Sequence, residues 1–259
     1  MKILFREKSN YCITTKILKL MKLNVFKISF VAAMCLVLFS CSQDEIIYSC
    51  DEGADAWVKE NLSDIVRMER AEWLEIGNID YQRAAYRGYK PEQKQALWIN
   101  KVNDVLSNIE WTQQERKHIE NLLTVIKESP KVFENSAGQE EMDKVEIELY
   151  RWTEYAKEEL KWTPELLYSL IGTPEAMNSG KQLISGKKTG IRLKNGGEST
   201  QPDCDCNSSN LSEPGSSGNW FPCVAVLHRC STISGCNVTS WGCGNLWLYS
   251  CNGTCVSSN

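Results

Sequence analysis

The chain has 259 residues and a formal net charge of −4 at pH 7; 42% of its residues are hydrophobic and 24% are charged. That balance belongs to a folded soluble protein, and its mild acidity gives no electrostatic case for nucleic acid as a partner. With 12 cysteines against 2 histidines, sulfur chemistry is the feature to follow.

Met21-Lys22-Leu23-Asn24-Val25-Phe26-Lys27 is a short basic start, and residues 28–39 are apolar except for Ser29. This run is shorter than the roughly 20 residues needed to span a bilayer, and it suits the hydrophobic region of a signal peptide. Leu38-Phe39-Ser40-Cys41 resembles a bacterial lipobox, which makes Cys41 the expected lipid attachment site. The alternative is an ordinary signal peptide followed by a chance cysteine. Residues 1–40 are read as a removed leader, with the start at Met21 and the signal peptide at 21–40; an unusually long basic leader is the other reading. Residues 41–53 form an acidic tether. Within it, Ser42-Gln43-Asp44-Glu45 resembles the tag that carries Bacteroidetes lipoproteins to the outer face of the outer membrane. Two or more acyl chains on one cysteine hold a protein durably in a membrane. Cys50 is the odd cysteine left over, expected either to pair elsewhere or to stay a free thiol.

Residues 54–176 are read as a helical domain. Val58, Leu62, Ile65, Val66, Trp73 and Ile76 form one helical stripe that stops at Gly77. Glu69 lies within that stripe and is expected to pair with Arg83 or Arg87. Pro91 opens a second helix, with Trp98, Val102, Val105, Leu106 and Ile109 on one face. Thr112-Gln113-Gln114-Glu115 reads as a capping box for a third, whose apolar side is Ile119, Leu122, Leu123 and Ile126; His118, on its flank, is expected in solvent. A fourth helix spans about 140–161, and Thr163-Pro164-Glu165 starts a short fifth that ends at Gly172. Trp111 and Trp162, each just before a helix start, are read as staples into the core. The fold class is mainly α: a small bundle of four to five helices, followed by a small disulfide-rich, loop/β C-terminal module.

Residues 177–203 have the composition of a basic, Gly-rich linker, flexible and open to proteases. Residues 204–259 are a cysteine-rich module with Cys204, Cys206, Cys223, Cys230, Cys236, Cys243, Cys251 and Cys255. Only Asp205, Glu213 and Arg229 carry charge there. A segment of roughly 55 residues buries little apolar surface by itself, and each disulfide contributes about 2–4 kcal/mol. No CxxC knuckle occurs, which favours disulfides over structural zinc in an exported chain. Eight cysteines allow about 105 connectivities, so the pairing stays open.

The chain lacks HExxH, GxSxG, Walker and GxGxxG motifs, and adjacent carboxylates such as Glu140-Glu141 and Glu158-Glu159 look like solvated helix faces. We expect no enzyme, no catalytic residue, no metal and no cofactor. The sequons at Asn207, Asn210, Asn237 and Asn252 are read as turn chemistry.

The tail resembles the fulvocin C bacteriocin and the bacteriocin fulvocin C-related proteins of Bacteroidetes. The resemblance rests on Cys204-Asp205-Cys206, on Cys223, Cys230 and Gly235-Cys236, and on Gly242-Cys243-Gly244, Trp247-Leu248-Tyr249 and Cys251-Asn252-Gly253. It covers the last fifth of the chain. The spacing from Cys206 to Cys223 and the closing CxxxC look wider than in the peptide. The resemblance implies an antibacterial peptide or a relative of one. The expected function is therefore a surface-anchored lipoprotein of the outer membrane carrying a bacteriocin-like C-terminal module, with release of that module into the medium left open. Its partners would be the membrane, through the lipid, and a target-cell receptor or surface glycan, met by Trp241, Trp247 and Tyr249. The alternative is a surface binding or adhesion lipoprotein with a cross-linked aromatic tip and no toxin activity. An immunity or decoy protein is a third possibility.

Overall fold

The computed structural model describes residues 46–184, 203–208 and 228–257. Helices come first: α1 (Glu52–Ile65), α2 (Arg70–Glu75), α3 (Ile79–Gly88), α4 (Pro91–Asn108), α5 (Gln113–Glu128), α6 (Gln139–Glu158) and α7 (Pro164–Leu167), the last running into a π turn at Tyr168–Gly172. Four short strands follow, β1 (His228–Ser231), β2 (Thr239–Cys243), β3 (Tyr249–Cys251) and β4 (Thr254–Ser257). They form two antiparallel pairs, β1 with β4 and β2 with β3. The fold is mainly α with a disulfide-rich, weakly stranded C-terminal part, as the sequence pattern predicts.

Local chemistry explains most helix starts. Asp51 Oδ1 accepts the Ala54 N–H at 2.8 Å, Asn78 Oδ1 accepts from Asp80 N at 2.7 Å, and Thr163 Oγ1 accepts from Leu166 N at 3.3 Å. Thr112 and Glu115 make the reciprocal capping box, at 3.2 and 2.9 Å. Each satisfies backbone donors that have no intrahelical partner. Pro91 occupies the first turn of α4, where its missing N–H costs nothing.

The first predicted helix, ending at Gly77, is instead two helices, α1 and α2. α1 stops at Ile65, and Glu69 is the exposed N-cap residue of α2, its N–H bonded to Glu72 Oε2 at 2.8 Å. Glu69 therefore does not pair with Arg83 or Arg87. A single stripe of apolar residues continues across the break, which is why periodicity alone joined them. α3 is the helix that the apolar pattern does not reveal. Its buried side is Gln82, Ala84, Ala85 and Tyr86, small or polar residues that carry little hydrophobic signal.

α4 packs on α5, α1 on α3, and α3 on β2. The core between them holds Trp73, Trp98, Tyr86, Leu97, Ile119, Leu122 and Leu149. Leu246, Trp247 and Leu248 of the cysteine-rich part belong to that same core. The described residues from Ile47 onward belong to one compact unit. No helix among the described residues is long and apolar enough to cross a membrane.

Candidate functional site

Cysteine pairing shapes the C-terminal part. Cys204 bonds Cys236, Cys206 bonds Cys230, and Cys243 bonds Cys251; Cys255 is also disulfide-bonded. Cys50 is a free, half-buried thiol. Burial, and then the Asp203 carboxylate, push that thiol above its ordinary pKa, away from the reactive thiolate. Cys41 and Cys223 lie outside the described residues. Asp205, Cys206 and Cys255 come close together, yet both sulfurs are committed to disulfides, and Asp205 Oδ1 accepts the Cys255 N–H at 2.9 Å. That grouping is a structural corner and has no free ligand set.

The CxC segment is threaded between two others. Cys204 N donates to Asn237 O at 2.8 Å, and Asn252 N to Cys206 O at 2.9 Å. Asn207 Nδ2 donates to Ser250 O at 2.7 Å, and Asn252 Oδ1 accepts from Ser208 N at 2.7 Å. These two sequon asparagines bind backbone. Cys230 and Cys236 are both tied to this segment, so residues 231–235 form a short loop with two covalent feet. Gly235 turns it in the left-handed region, φ 62°. A Cβ on Gly253 would sit 2.6 Å from Cys230 Sγ and 2.9 Å from Ser231 O, so only glycine lets the neighbouring chain approach this closely. At the loop's crest Ile233 is 94% exposed, with Val238 exposed nearby.

The inner side of the segment faces the helices. Arg87 of α3 donates from Nη1 to Asp203 Oδ2 at 2.8 Å and to Tyr48 O at 2.8 Å, from Nε to Trp241 O at 3.0 Å, and from Nη2 to Thr239 Oγ1 at 2.8 Å. Asp203 also accepts from Cys50 N at 2.7 Å and Ser49 Oγ at 2.8 Å. Burial alone would raise the Asp203 pKa; the Arg87 charge and these donors outweigh it and lower it. One helix turn earlier, Arg83 Nη2 donates to Asp205 O at 2.9 Å. Asp203, expected in the linker, is thus part of a buried polar node.

The aromatics expected to meet a target are placed elsewhere. Trp247 is 3% exposed. It stands edge-on to Trp73 and Tyr86, at 5.7 and 5.2 Å between ring centres, and its Nε1–H donates to Gly172 O at 3.0 Å. Leu246 and Trp247 both have positive φ, 52° and 53°. Two successive left-handed residues cost about 1–2 kcal/mol each, offset here by burial of both side chains. The half-buried Trp241 ring lies under Lys94 Nζ at 4.0 Å. The half-buried Tyr249 donates its hydroxyl to Glu146 Oε1 on α6 at 2.6 Å. All three rings face the helical domain, and among the described residues of the module the exposed large apolar side chains are aliphatic, Ile233 and Val238.

His118, expected in solvent, lies instead in the core. It is buried, stacked on Trp152 at 4.7 Å and 7°. Its Nε2 shares a hydrogen bond with Trp152 O at 2.9 Å, and Trp152 Nε1 donates to His118 O at 2.8 Å. Burial lowers its pKa. Trp162 is buried and Trp111 packs at the core edge, their ring centres 5.8 Å apart.

Two buried lysines were not legible in the sequence. Lys94 is held at about 8 by burial. Lys101 is held at about 7 by burial and then by the Arg70 charge. Lys101 Nζ donates to Glu175 O, and Arg70 Nε donates to Pro174 O at 3.0 Å, with Asp104 paired to Arg70 Nη1. They border a cavity of about 190 Å³ lined also by Asn108, Met177 and Ile184. Lys101 and Arg70 each bond a carbonyl of the chain leaving the π turn, so the pair clamps that segment, while the buried Arg70 Nη2 has no hydrogen-bond partner.

No protein-family model, no curated protein and no solved structure matches this chain.

Proposed function

We propose that the protein is an exported lipoprotein, tethered through Cys41 at the outer surface of the outer membrane, that acts by binding. Its recognition element is the disulfide-framed loop around Ile233. One observation carries this reading: a large aliphatic side chain is 94% exposed on a loop whose two ends are anchored by Cys204–Cys236 and Cys206–Cys230. A pre-ordered loop loses little conformational freedom on binding, and an exposed apolar crest gains by entering a partner's pocket. The helical domain supports the loop through the Arg87 node and the shared core. No cofactor or metal enters this reading.

The antibacterial reading is kept as a second form of the same proposal, with the partner on a competing cell. The Gly242-Cys243-Gly244, Trp247-Leu248-Tyr249 and Cys251-Asn252-Gly253 order favours it through its likeness to fulvocin C. In that form the tail works while docked on the helices, because release would strip Trp247 from its seat.

The test compares the purified exported chain with Ile233→Asp. Retention on whole bacterial cells and on immobilised surface glycans is measured, with growth inhibition of neighbouring strains in parallel. Binding reduced at least about tenfold with unchanged circular dichroism supports the loop. Equal retention of both proteins on every surface removes it. Inhibition of growth by the intact chain selects the antibacterial form. Radiolabelled acyl incorporation that survives Cys41→Ala would refute the anchor.

A further inference from the structure

Lys181 sits over an aromatic box in the helical domain. Its Nζ lies 4.3 Å from the Trp111 ring centre and 2.9 Å from Glu115 Oε1. Trp162 adjoins Trp111, with ring centres 5.8 Å apart, and its Nε1–H donates to that same Glu115 oxygen at 3.1 Å. The sequence builds this directly: Trp111 and Trp162 each precede a threonine N-cap, and Glu115 is the third residue of the helix that begins between them. Thr112 N holds the other Glu115 oxygen at 2.9 Å. Burial alone would raise Glu115; the Lys181 ammonium, Thr112 and the Trp162 indole outweigh it and hold it at about 2. An electron-rich ring face beside a permanently ionised carboxylate is recognition chemistry for an alkylammonium group.

The present occupant is held against opposition. Lys181 has φ 63°, a left-handed conformation unfavourable for a side-chain-bearing residue. The backbone bonds of its turn are internal: Asn178 N to Gln182 O, Lys181 N to Asn178 O, and Ile184 N to Ala176 O. The lysine side chain is 32% exposed, so solvent screens part of its attraction to Glu115. A backbone conformation that works against a contact already weakened by solvent favours exchange of the occupant.

We propose that the Trp111–Glu115–Trp162 box is a binding site for an alkylammonium ligand, filled in cis by Lys181 until such a ligand displaces it. The site is far in sequence from the Ile233 loop and independent of its role.

The experiment uses the full exported chain and two probes, choline and n-butylammonium, against sodium chloride at matched ionic strength. The readout is the indole N–H resonances of Trp111 and Trp162. In Lys181→Met, which keeps the apolar stem but not the charge, both resonances shift saturably with at least one probe. Wild type needs at least about tenfold more probe, and Lys181→Met/Glu115→Gln loses the response. Choline alone shifting the signals assigns a quaternary ligand; butylammonium alone assigns a primary amine. Absence of any site-specific shift in folded Lys181→Met, or identical titrations of wild type and variant, overturns the proposal. Lys181→Ala serves as the second variant and is judged by the same criteria.

Discussion

Arg87 and Asp203, 116 residues apart, meet at 2.8 Å with their side chains 3% and 4% exposed. This contact joins the third helix to the first residue before the CxC pair. Each of the three Arg87 guanidinium nitrogens has a partner, with Tyr48, Trp241 and Thr239 taking further hydrogen bonds. Desolvating two charges is expensive, and the full set of partners is what makes their burial tolerable.

Removing one partner therefore strands the other. Arg87→Met should lower the unfolding free energy by about 3–5 kcal/mol, read from urea titration of the helical signal. The Arg87→Met/Asp203→Asn double variant should recover part of that loss. Because the folded pKa of Asp203 lies below its ordinary value of 3.8, its contribution is present above that value and disappears as pH falls through the folded pKa. Wild type should lose stability in acid more steeply than the double variant.

The buried lysines work in the opposite direction. Their folded pKa values, about 8 for Lys94 and about 7 for Lys101, lie below the ordinary 10.5. Between about 7 and 10.5 the unfolded chain binds more protons than the folded one, so stability rises with pH in that window. Urea midpoints measured from pH 7 to 9 should climb. Lys101→Met should flatten the climb more than Lys94→Met.

Trp247 tests whether the tail and the helices share one core. Trp247→Ala should cost about 3–5 kcal/mol and lower the helical and aromatic unfolding transitions together. Ile233→Asp, at a fully exposed crest, should stay within about 0.5 kcal/mol of wild type. Two separate transitions in Trp247→Ala, with the helical one unmoved, would contradict the shared core.

Disulfides should stabilise the helices as well as the tail. Cys204–Cys236 and Cys206–Cys230 span 32 and 24 residues, and loops of this size contribute roughly 3–4 kcal/mol each. Reduction of the intact protein should lower the midpoint of helix melting by circular dichroism by several degrees or more. An unchanged helical midpoint after full reduction would show that the tail is only appended.

Much of the helical frame was legible because its signals are local. Pro91, the Thr112–Glu115 box, Thr163 and the stripes of α4, α5 and α6 all act within a turn or two of themselves. α3 was not legible, since Gln82, Ala84 and Ala85 bury without an apolar stripe. Glu69 and His118 were misplaced for a related reason. A helical wheel ranks residues by type, while Glu69 caps the start of a helix with its N–H bonded to Glu72 and His118 is buried by stacking on Trp152, 34 residues away.

By itself the sequence determined a mainly helical chain with a cross-linked tail, because hydrophobic period, caps and thiol chemistry need no knowledge of distant neighbours. Only the tertiary structure decided which cysteines among those described are paired, that Trp247 fills the helical core, and that Ile233 is exposed on a disulfide-framed loop. In a segment so poor in charge and in regular periodicity, no local pattern marks an inward face. Side-chain direction there is set by disulfide geometry and by the Arg87–Asp203 contact, and both act between residues far apart along the chain.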